Sequence, residues 1–108
     1  SELVLQAVIR ITTNPRIIRP PTPLLDAIAF VNTLRQAPAA RVVRPGAAHF
    51  DLFTDQCLRA NATGNLVADA YHAALAIEHD CVWATADRDF ARFPGLRWRH
   101  PLDEPPAQ

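Results

Sequence analysis

Apolar residues recur at helical spacing in four segments of this chain, and the first two lie in its amino-terminal part. The first pattern covers residues 3–11 and ends at residues 12–15, where a proline prevents the helix from continuing. The second is predicted to begin with Thr22 as the N-cap and Pro23 as the first helical residue. It then runs to about Gln36, which predicts two amphipathic helices in the first third of the chain.

Two further helical patterns follow in the middle of the chain. The third helix is predicted over about residues 48–60, and the segment 61–64, which ends in glycine, terminates it. Its expected buried stripe consists of Phe50, Phe53, Cys57 and Leu58. The fourth helix runs from Asn65 to about His79 and is rich in alanine. Because alanine side chains are small, we expect this helix to approach a sheet closely.

Short apolar runs between the helices predict strands. Residues 41–44 read RVVR and end at a Pro-Gly turn, and residues 96–99 alternate in polarity. Residues 81–85 form a continuous apolar run, which is typical of a strand buried on both faces. Between the last two strands, Asp87 is expected to cap a short helical turn that reaches Arg92. Helices that alternate with strands predict the α/β class, with a parallel sheet and helices on both of its faces.

Composition restricts the classes of protein that this chain could be. Its 108 residues are enough for one small domain, and 49% hydrophobic with 20% charged residues is a globular balance. No apolar run is long enough to cross a membrane. The 11 acidic and 11 basic residues balance, so any nucleic-acid-binding surface must be local. All the basic residues are arginine, which suits bidentate contacts with phosphate.

Two other compositional features bear on the origin of the chain. Cys57 and Cys81 lack CxxC spacing and no signal peptide is visible, so we expect free thiols in a cytoplasmic protein. The chain contains no methionine and opens at Ser1 inside a helical pattern. We therefore expect it to be the carboxyl-terminal part of a longer protein.

Acidic residues cluster where an α/β sheet would place a site. Asp69 lies near the start of the fourth helix, and Thr85, Asp87 and Asp89 follow the apolar strand. Open α/β sheets bind ligands at the carboxyl ends of their parallel strands. Carboxylate oxygens are the ligands that Mg²⁺ and Mn²⁺ prefer, so this pattern indicates a divalent-metal site.

Each of these acids also has a purely local interpretation. Asp87 could serve only as an N-cap, with Asp89 as a favourable charge in the first turn that follows. Glu2 could be a solvated first-turn acid. Asp69 is harder to explain locally, because its neighbours on the helix are mostly apolar and a partly buried carboxylate needs a partner. His72, one turn after Asp69, is interpreted as a packing or hydrogen-bonding residue rather than a metal ligand.

The sequence GNLVADAYHAALAIEH, followed by TADRDFARFPGLRW, resembles the carboxyl-terminal half of a PIN domain. The likeness is to the VapC-type ribonuclease toxins of bacterial toxin–antitoxin pairs. The opening SELVLQAVIRITTNPR resembles the helix in which such toxins carry their second acidic residue. The resemblance implies a three-layer α/β/α domain with a parallel sheet over residues 1–102, and a disordered tail at 103–108. The family's amino-terminal central strand and its first aspartate have no counterpart in this chain.

The resemblance also implies roles for individual residues. Glu2, Asp69 and Asp87 match the family's second, third and fourth acids, which hold Mg²⁺ or Mn²⁺, and Asp89 would act as an auxiliary acid. Thr85 matches a hydroxyl residue that orients a carboxylate or a water. The implied activity is metal-dependent hydrolysis of RNA phosphodiester bonds. The candidates for phosphate contact are Arg10, Arg16 and Arg88.

Partners follow from the same resemblance. They are a cognate antitoxin that covers the acidic site, an RNA substrate (tRNA, rRNA or mRNA) and a second copy of the chain in a homodimer. Without a central strand, interior backbone groups would be left unpaired at about 1–3 kcal/mol each, so we expect a companion peptide to supply that strand.

Two other function classes stay open at this point. One is a truncated or nicked PIN domain that cuts nothing and only binds the antitoxin or dimerises. The other is a different acidic-site α/β enzyme such as a phosphatase. Such a phosphatase needs a nucleophilic aspartate after an early strand, and this chain has no such strand.

Overall fold

A computed structural model of the chain describes residues 1–103, which fall into two compact units. The first unit is Ser1–Arg44 and contains two helices, α1 (Glu2–Thr12) and α2 (Leu24–Gln36). The second unit begins at Pro45. It contains, in chain order, α3 (His49–Ala60), α4 (Asn65–Glu78), β1 (Trp83–Ala84), a 3₁₀ helix (Arg88–Arg92) and β2 (Trp98–Arg99).

In the first unit, α1 and α2 pack against each other. The predicted bounds of α1 are confirmed, but the predicted start of α2 is wrong by one position, because Pro23 rather than Thr22 occupies the N-cap. The Thr22 amide donates to the Thr12 carbonyl at 2.8 Å, which holds Thr22 in the connection to α1. Pro23 offers no side-chain acceptor, so α2 begins without a side-chain cap.

The strand predicted at residues 41–44 is wrong. Within the described part of the chain these residues are not in a strand, and they form no ladder with another segment. A strand requires a neighbour for its backbone N–H and C=O groups, and RVVR has none. Val42 instead lines a small cleft together with Val4 of α1 and Leu34 of α2.

In the second unit, α3 and α4 pack against each other, and the predicted stripe of α3 is only half right. Phe53 and Cys57 pack against the core, but Phe50 is 66% exposed and Leu58 is 82% exposed. The buried residues of α3 are His49 and Gln56. The helical period explains this result, since the inward face advances through positions 49, 53, 56, 57 and 60 while positions 50 and 58 fall outside it.

The link between α3 and α4 has the predicted form. Asn61 adopts the left-handed conformation with φ of 49°, and its N–H bonds to carbonyls of the last turn of α3. Gly64, with φ of 59°, precedes α4 at the N-cap. Asparagine and glycine tolerate positive φ, which explains their presence at the C-cap of α3 and at the N-cap of α4.

The two strands form a parallel pair, with Trp83 opposite Trp98 and Ala84 opposite Arg99. The predicted α/β class with a parallel sheet is therefore confirmed, although the described structure is mainly helical. The prediction of a strand buried on both faces over residues 81–85 is wrong. Val82 is 45% exposed and Cys81 is also exposed. Among residues 1–103 only β2 pairs with β1, so the other edge of β1 is open.

The core of the second unit forms where α4 meets the residues around the 3₁₀ helix. Its buried members are Ala70, Ala73, Ala76, Phe90, Phe93 and Leu96. Trp83 and Trp98 of the sheet pack against them, which confirms that the alanine-rich helix approaches the sheet. Cys57 and Cys81 are free thiols, as expected.

Two remaining expectations concern membranes and the chain end. No helix in residues 1–103 is long and apolar enough to cross a bilayer. Of the tail predicted to be disordered, only residue 103 is described, and residues 104–108 lie outside the described part.

Candidate functional site

The acidic residues predicted in the second unit come together around Asp69. Asp69 lies in the second turn of α4 beside the buried Ala70, and its own side chain is partly buried. Burial, together with the nearby charges of Asp87 and Asp89, raises the pKa of Asp69 above its ordinary value of 3.8. Carboxylates from two separate segments therefore lie close enough for Asp87 and Asp89 to act on Asp69.

Successive backbone hydrogen bonds shape the segment that carries Asp87 and Asp89. The Thr85 amide donates to the Arg99 carbonyl at 3.0 Å, which extends the pairing of β1 with β2 by one residue. The Asp87 amide donates to Thr85 Oγ1 at 3.1 Å, and the Asp89 amide donates to Asp87 Oδ1 at 2.9 Å. The local interpretation of Asp87 as the N-cap of a short helical turn is thus confirmed. Oδ1 is the atom of Asp87 that caps this turn.

His72 lies one turn after Asp69 and packs against β1. Its ring stacks on Trp83, with centroids 5.3 Å apart and planes 12° from parallel. Burial lowers the pKa of His72 below its ordinary value of 6.5, which favours the neutral ring. Within the described structure, His72 Nδ1 and Trp83 Nε1 are buried and lack hydrogen-bond partners. The prediction of a packing role for His72 is confirmed.

The other predicted site residues are exposed. Glu2 lies in the first turn of α1 within the first unit, with its Oε1 3.5 Å from Nε of Arg44. Both side chains of this pair are largely solvent-accessible, so its contribution to stability is small. The three arginines predicted to contact phosphate are Arg10 in the last turn of α1, Arg16 in the connection that follows, and Arg88 at the start of the 3₁₀ helix. Their roles, and the role of Glu2, stay predictions.

The donor set around Asp69 suits a hard divalent cation. Its oxygens belong to carboxylates and to the Thr85 hydroxyl, and a cation would favour the charged form of Asp69, which burial and the charges of Asp87 and Asp89 disfavour. In residues 1–103, however, no three His, Cys, Asp or Glu side chains are arranged closely enough to hold a metal ion. The residues therefore fit Mg²⁺ or Mn²⁺ in charge and donor type, but the described ligands are not preassembled.

A fourth carboxylate, Glu78, has a structural role that the sequence did not indicate. Its Oε1 accepts from the Gly46 amide at 2.8 Å and its Oε2 accepts from the Ala48 amide at 3.1 Å. The hydrogen bond from Gly46 is the largest of several effects that lower the pKa of Glu78 below 4.5. Glu78 thus caps α3, whose N-cap Ala48 has no side-chain acceptor. Glu78 lies 32 positions from Gly46, so no local motif could have revealed this contact.

Sequence comparisons relate this chain to known proteins. Residues 1–96 match the PIN domain family. The chain is 48% identical over 100 residues to VapC ribonuclease Mb2897 of Mycobacterium bovis, an alignment that covers 93% of this chain and 68% of that protein. It has the same identity and coverage with Ribonuclease VapC43 of Mycobacterium tuberculosis. It is 41% identical over 99 residues to Ribonuclease VapC25 of the same organism, covering 92% of this chain and 70% of that protein.

Proposed function

This chain belongs to the PIN domain family, and from that premise we propose that it is a metal-dependent endoribonuclease toxin of a toxin–antitoxin pair. The observation that carries the proposal is the grouping of Asp69, Asp87 and Asp89, in which burial and the charges of Asp87 and Asp89 disfavour the charged form of Asp69 and a divalent cation would favour it. The similarity to proteins named as ribonucleases supports RNA as the substrate. The proposed place of action is the cytoplasm.

In this proposal Asp69 and Asp87 are direct ligands of Mg²⁺ or Mn²⁺. Asp89 would reach the ion through a water, and Glu2 would be a ligand or a base that acts through water. The ion would lower the pKa of a bound water and offset the charge that develops on the scissile phosphate. Thr85 orients Asp87, because its hydroxyl accepts from the Asp87 amide. Because Oδ1 of Asp87 accepts the capping bond, Oδ2 is its proposed ligand atom.

RNA binding is assigned to individual exposed arginines, because the chain has no net charge. Arg10, Arg16 and Arg88 are the proposed phosphate contacts, and all three are exposed. Contacts of this kind hold the RNA in place but do not read its sequence. Substituting any one of them should therefore weaken binding to all RNAs alike and reduce the salt dependence of binding.

The proposed protein partners are a cognate antitoxin and a second copy of the chain. An antitoxin arginine would neutralise the acidic site and so inhibit cleavage. The open edge of β1 further supports a companion segment that adds a strand beside Trp83 and Ala84. Such a strand would pair the backbone groups that β2 does not reach.

Cleavage of RNA by the purified protein tests the proposed activity. We expect cleavage that requires added Mg²⁺ or Mn²⁺ and that disappears in Asp69→Asn. Asp51→Asn is the matched control, because Asp51 is an exposed acid in the first turn of α3. It should cleave at the parent rate. Full activity in the presence of a chelator, or in Asp69→Asn, would refute the metal-dependent mechanism.

A second candidate function is binding without catalysis. Large apolar side chains on α2 are exposed, including Leu25 at 80% and Phe30 at 56%, as expected of a helix that docks against a partner. Under this alternative the chain would bind the antitoxin or a second copy and cut no RNA at any Mn²⁺ concentration. Antitoxin binding measured beside the cleavage assay separates the two functions.

A further inference from the structure

A small apolar cleft lies in the first unit, between the two helices and the segment that follows α2. Its volume is about 140 Å³, and its apolar lining consists of Val4, Leu5, Leu34, Ala40 and Val42. An engineered apolar cavity of about 150 Å³ in another protein binds benzene. The cleft is therefore large enough for one apolar side chain, but not for a whole helix.

The cleft also carries positive charge. Arg35 and Arg41 are among its lining residues, and both are exposed. The first unit as a whole, residues 1–44, contains six arginines and two acidic residues. A carboxylate placed next to the apolar group in the cleft would therefore be attracted to these arginines. Together these features fit an apolar side chain that has an acidic neighbour.

The lining of the cleft favours a protein side chain over a nucleotide. Proteins bind single-stranded RNA largely by stacking its bases on aromatic rings and by hydrogen bonds to the base edges. Among the described lining residues there is no aromatic ring. The hydroxyl of Ser1, which also lines the cleft, already accepts from the Val4 amide. The cleft thus offers burial to an apolar side chain but little recognition to a base.

A turn near the carboxyl end of the chain presents a side chain of this kind. Leu102 is 88% exposed, the highest value among the exposed large apolar residues of the described chain, and Asp103 follows it. The Leu102 amide donates to His100 Nδ1 at 3.1 Å, and the Asp103 amide donates to the His100 carbonyl at 3.0 Å. The turn therefore fixes the backbone while the side chain of Leu102 projects into solvent. Such preorganisation lowers the entropy that is lost on binding.

We propose that the cleft of one copy of this chain binds Leu102 of a second copy, with Asp103 of that copy beside Arg35 or Arg41. The occupant comes from a second copy because the described residues of a single chain leave Leu102 88% exposed. If each copy gives and receives one such side chain, the two contacts are related by a twofold axis and the assembly closes as a dimer. Two inserted side chains bury far less than the roughly 1,200 Å² of a stable interface, so the dimer should be weak. The inference adds a contact surface to the second copy proposed above as a partner, and it depends on neither the cation nor RNA cleavage.

Sedimentation equilibrium of the full chain, at concentrations up to about 1 mM, tests the proposal. The parent should form a dimer, and Leu102→Ala should weaken it about 10-fold or more because the inserted apolar side chain is lost. Val42→Arg should weaken it at least as much, since it places a charge in the cleft. Asp103→Asn should weaken it about fivefold or less, as expected of an exposed charge contact. Leu58→Ala is the matched control, because Leu58 is 82% exposed but does not line the cleft, and it should dimerise like the parent.

Mixing two variants identifies the contact itself. Val42→Arg keeps Leu102, and Leu102→Ala keeps the cleft, so an equimolar mixture retains one intact contact and should associate more tightly than either variant alone. If both variants dimerise like the parent, the proposed contact is wrong, while a second copy that binds elsewhere still stands. A parent that stays monomeric at every concentration would overturn both the contact and the second copy as a partner, and the test of metal-dependent cleavage would be unaffected. If Val42→Arg does not fold, Ala40→Arg replaces it, because Ala40 is an exposed residue of the same lining. Parent-like association of Ala40→Arg would then refute the role of the cleft.

Discussion

Replacing Asp69 with asparagine should stabilise the metal-free protein, although it removes a proposed metal ligand. The Asp69 carboxylate is partly buried and is repelled by Asp87 and Asp89, as its raised pKa shows. Asparagine has nearly the same shape and carries no charge. The substitution therefore relieves both the burial of a charge and its repulsion by the two neighbours.

The size of this effect follows from the exposure of the site. Asp69 is only partly buried, so solvent screens its interactions. Each exposed charge contact is worth about 0.2–1 kcal/mol, and two repulsive neighbours together give on the order of 1 kcal/mol. A change of that size shifts the melting temperature of a domain of 60–100 residues by about 4–8 °C. We therefore expect Asp69→Asn to melt several degrees above the parent at pH 7.

The pH dependence has a definite sign. Because folding raises the pKa of Asp69, the folded state holds its proton more tightly than the unfolded state. Below the ordinary value of 3.8 the carboxyl is neutral in both states, and the parent and the variant should be equally stable. As the pH rises through the higher folded pKa, the parent loses this stability while Asp69→Asn does not. The difference in melting temperature should thus appear above pH 3.8 and reach a plateau.

Thermal unfolding followed by circular dichroism, from acidic to neutral pH, measures this difference. Adding Mn²⁺ should reverse the order, because a ligand at 100 times its Kd stabilises the state that binds it by about 2.7 kcal/mol. Only the parent should gain this stabilisation. Asp51→Asn serves as the control and should melt no higher than the parent in any condition, because its exposed charge is favourable in the first turn of α3. If Asp69→Asn melts below the parent in metal-free buffer at pH 7, the carboxylate is stabilising and the account of the site is wrong.

Four further predictions concern the framework around the site. Phe93→Ala should lower the free energy of unfolding by about 3–5 kcal/mol in a denaturant titration, since Phe93 is 1% exposed, whereas Leu58→Ala at 82% exposure should change it by less than about 0.5 kcal/mol. Equal effects would contradict the assigned core. Gly46→Ala should lower the melting temperature, because the added Cβ would lie 2.8 Å from Oε2 of Glu78. The Glu78 carboxylate should stabilise the fold above pH 4.5, and this stabilisation should be lost as the pH falls below that value. Glu78→Gln should remove the stabilisation, so an acid-unfolding profile that the substitution leaves unchanged would exclude a capping role for Glu78. Asn61→Ala should lower the free energy of unfolding by about 1–2 kcal/mol, because alanine is strained at the φ of 49° that Asn61 adopts, whereas Asn61→Gly should not. Equal stability of the two variants would refute the interpretation that positive φ constrains this position.

Much of the helical structure was predictable because its signals are local. The end of α1 and the asparagine after α3 act within a few residues of where they stand. The Asp87 cap has the same character, since its partner is the amide two positions later. Predictions were wrong where the structure of a segment depends on its contact with a second segment. The RVVR segment has apolar residues suited to a strand, but among residues 1–103 nothing pairs with it.

The acidic residues of the candidate site could be predicted from the sequence, but the contacts between elements around them could not. Asp69, Asp87 and Asp89 could be named from their placement on a helix and after a strand, and the structure brings them within electrostatic range of one another. The stacking of His72 on Trp83 could not be named, because the two residues lie in different elements. The capping of α3 by Glu78 could not be predicted for the same reason.

By itself the sequence determined the helices, the α/β class with a parallel sheet and the identity of the acidic residues. Hydrophobic periodicity, helix caps and carboxylate residues can be recognised from residues that are neighbours in the chain. The tertiary structure alone decided which apolar positions are buried, as exposed Phe50 and buried His49 illustrate. It also decided which charges act on Asp69 and which edge of β1 stays open. These properties depend on what lies across from a residue in space, and the position of a residue in the chain does not contain that information.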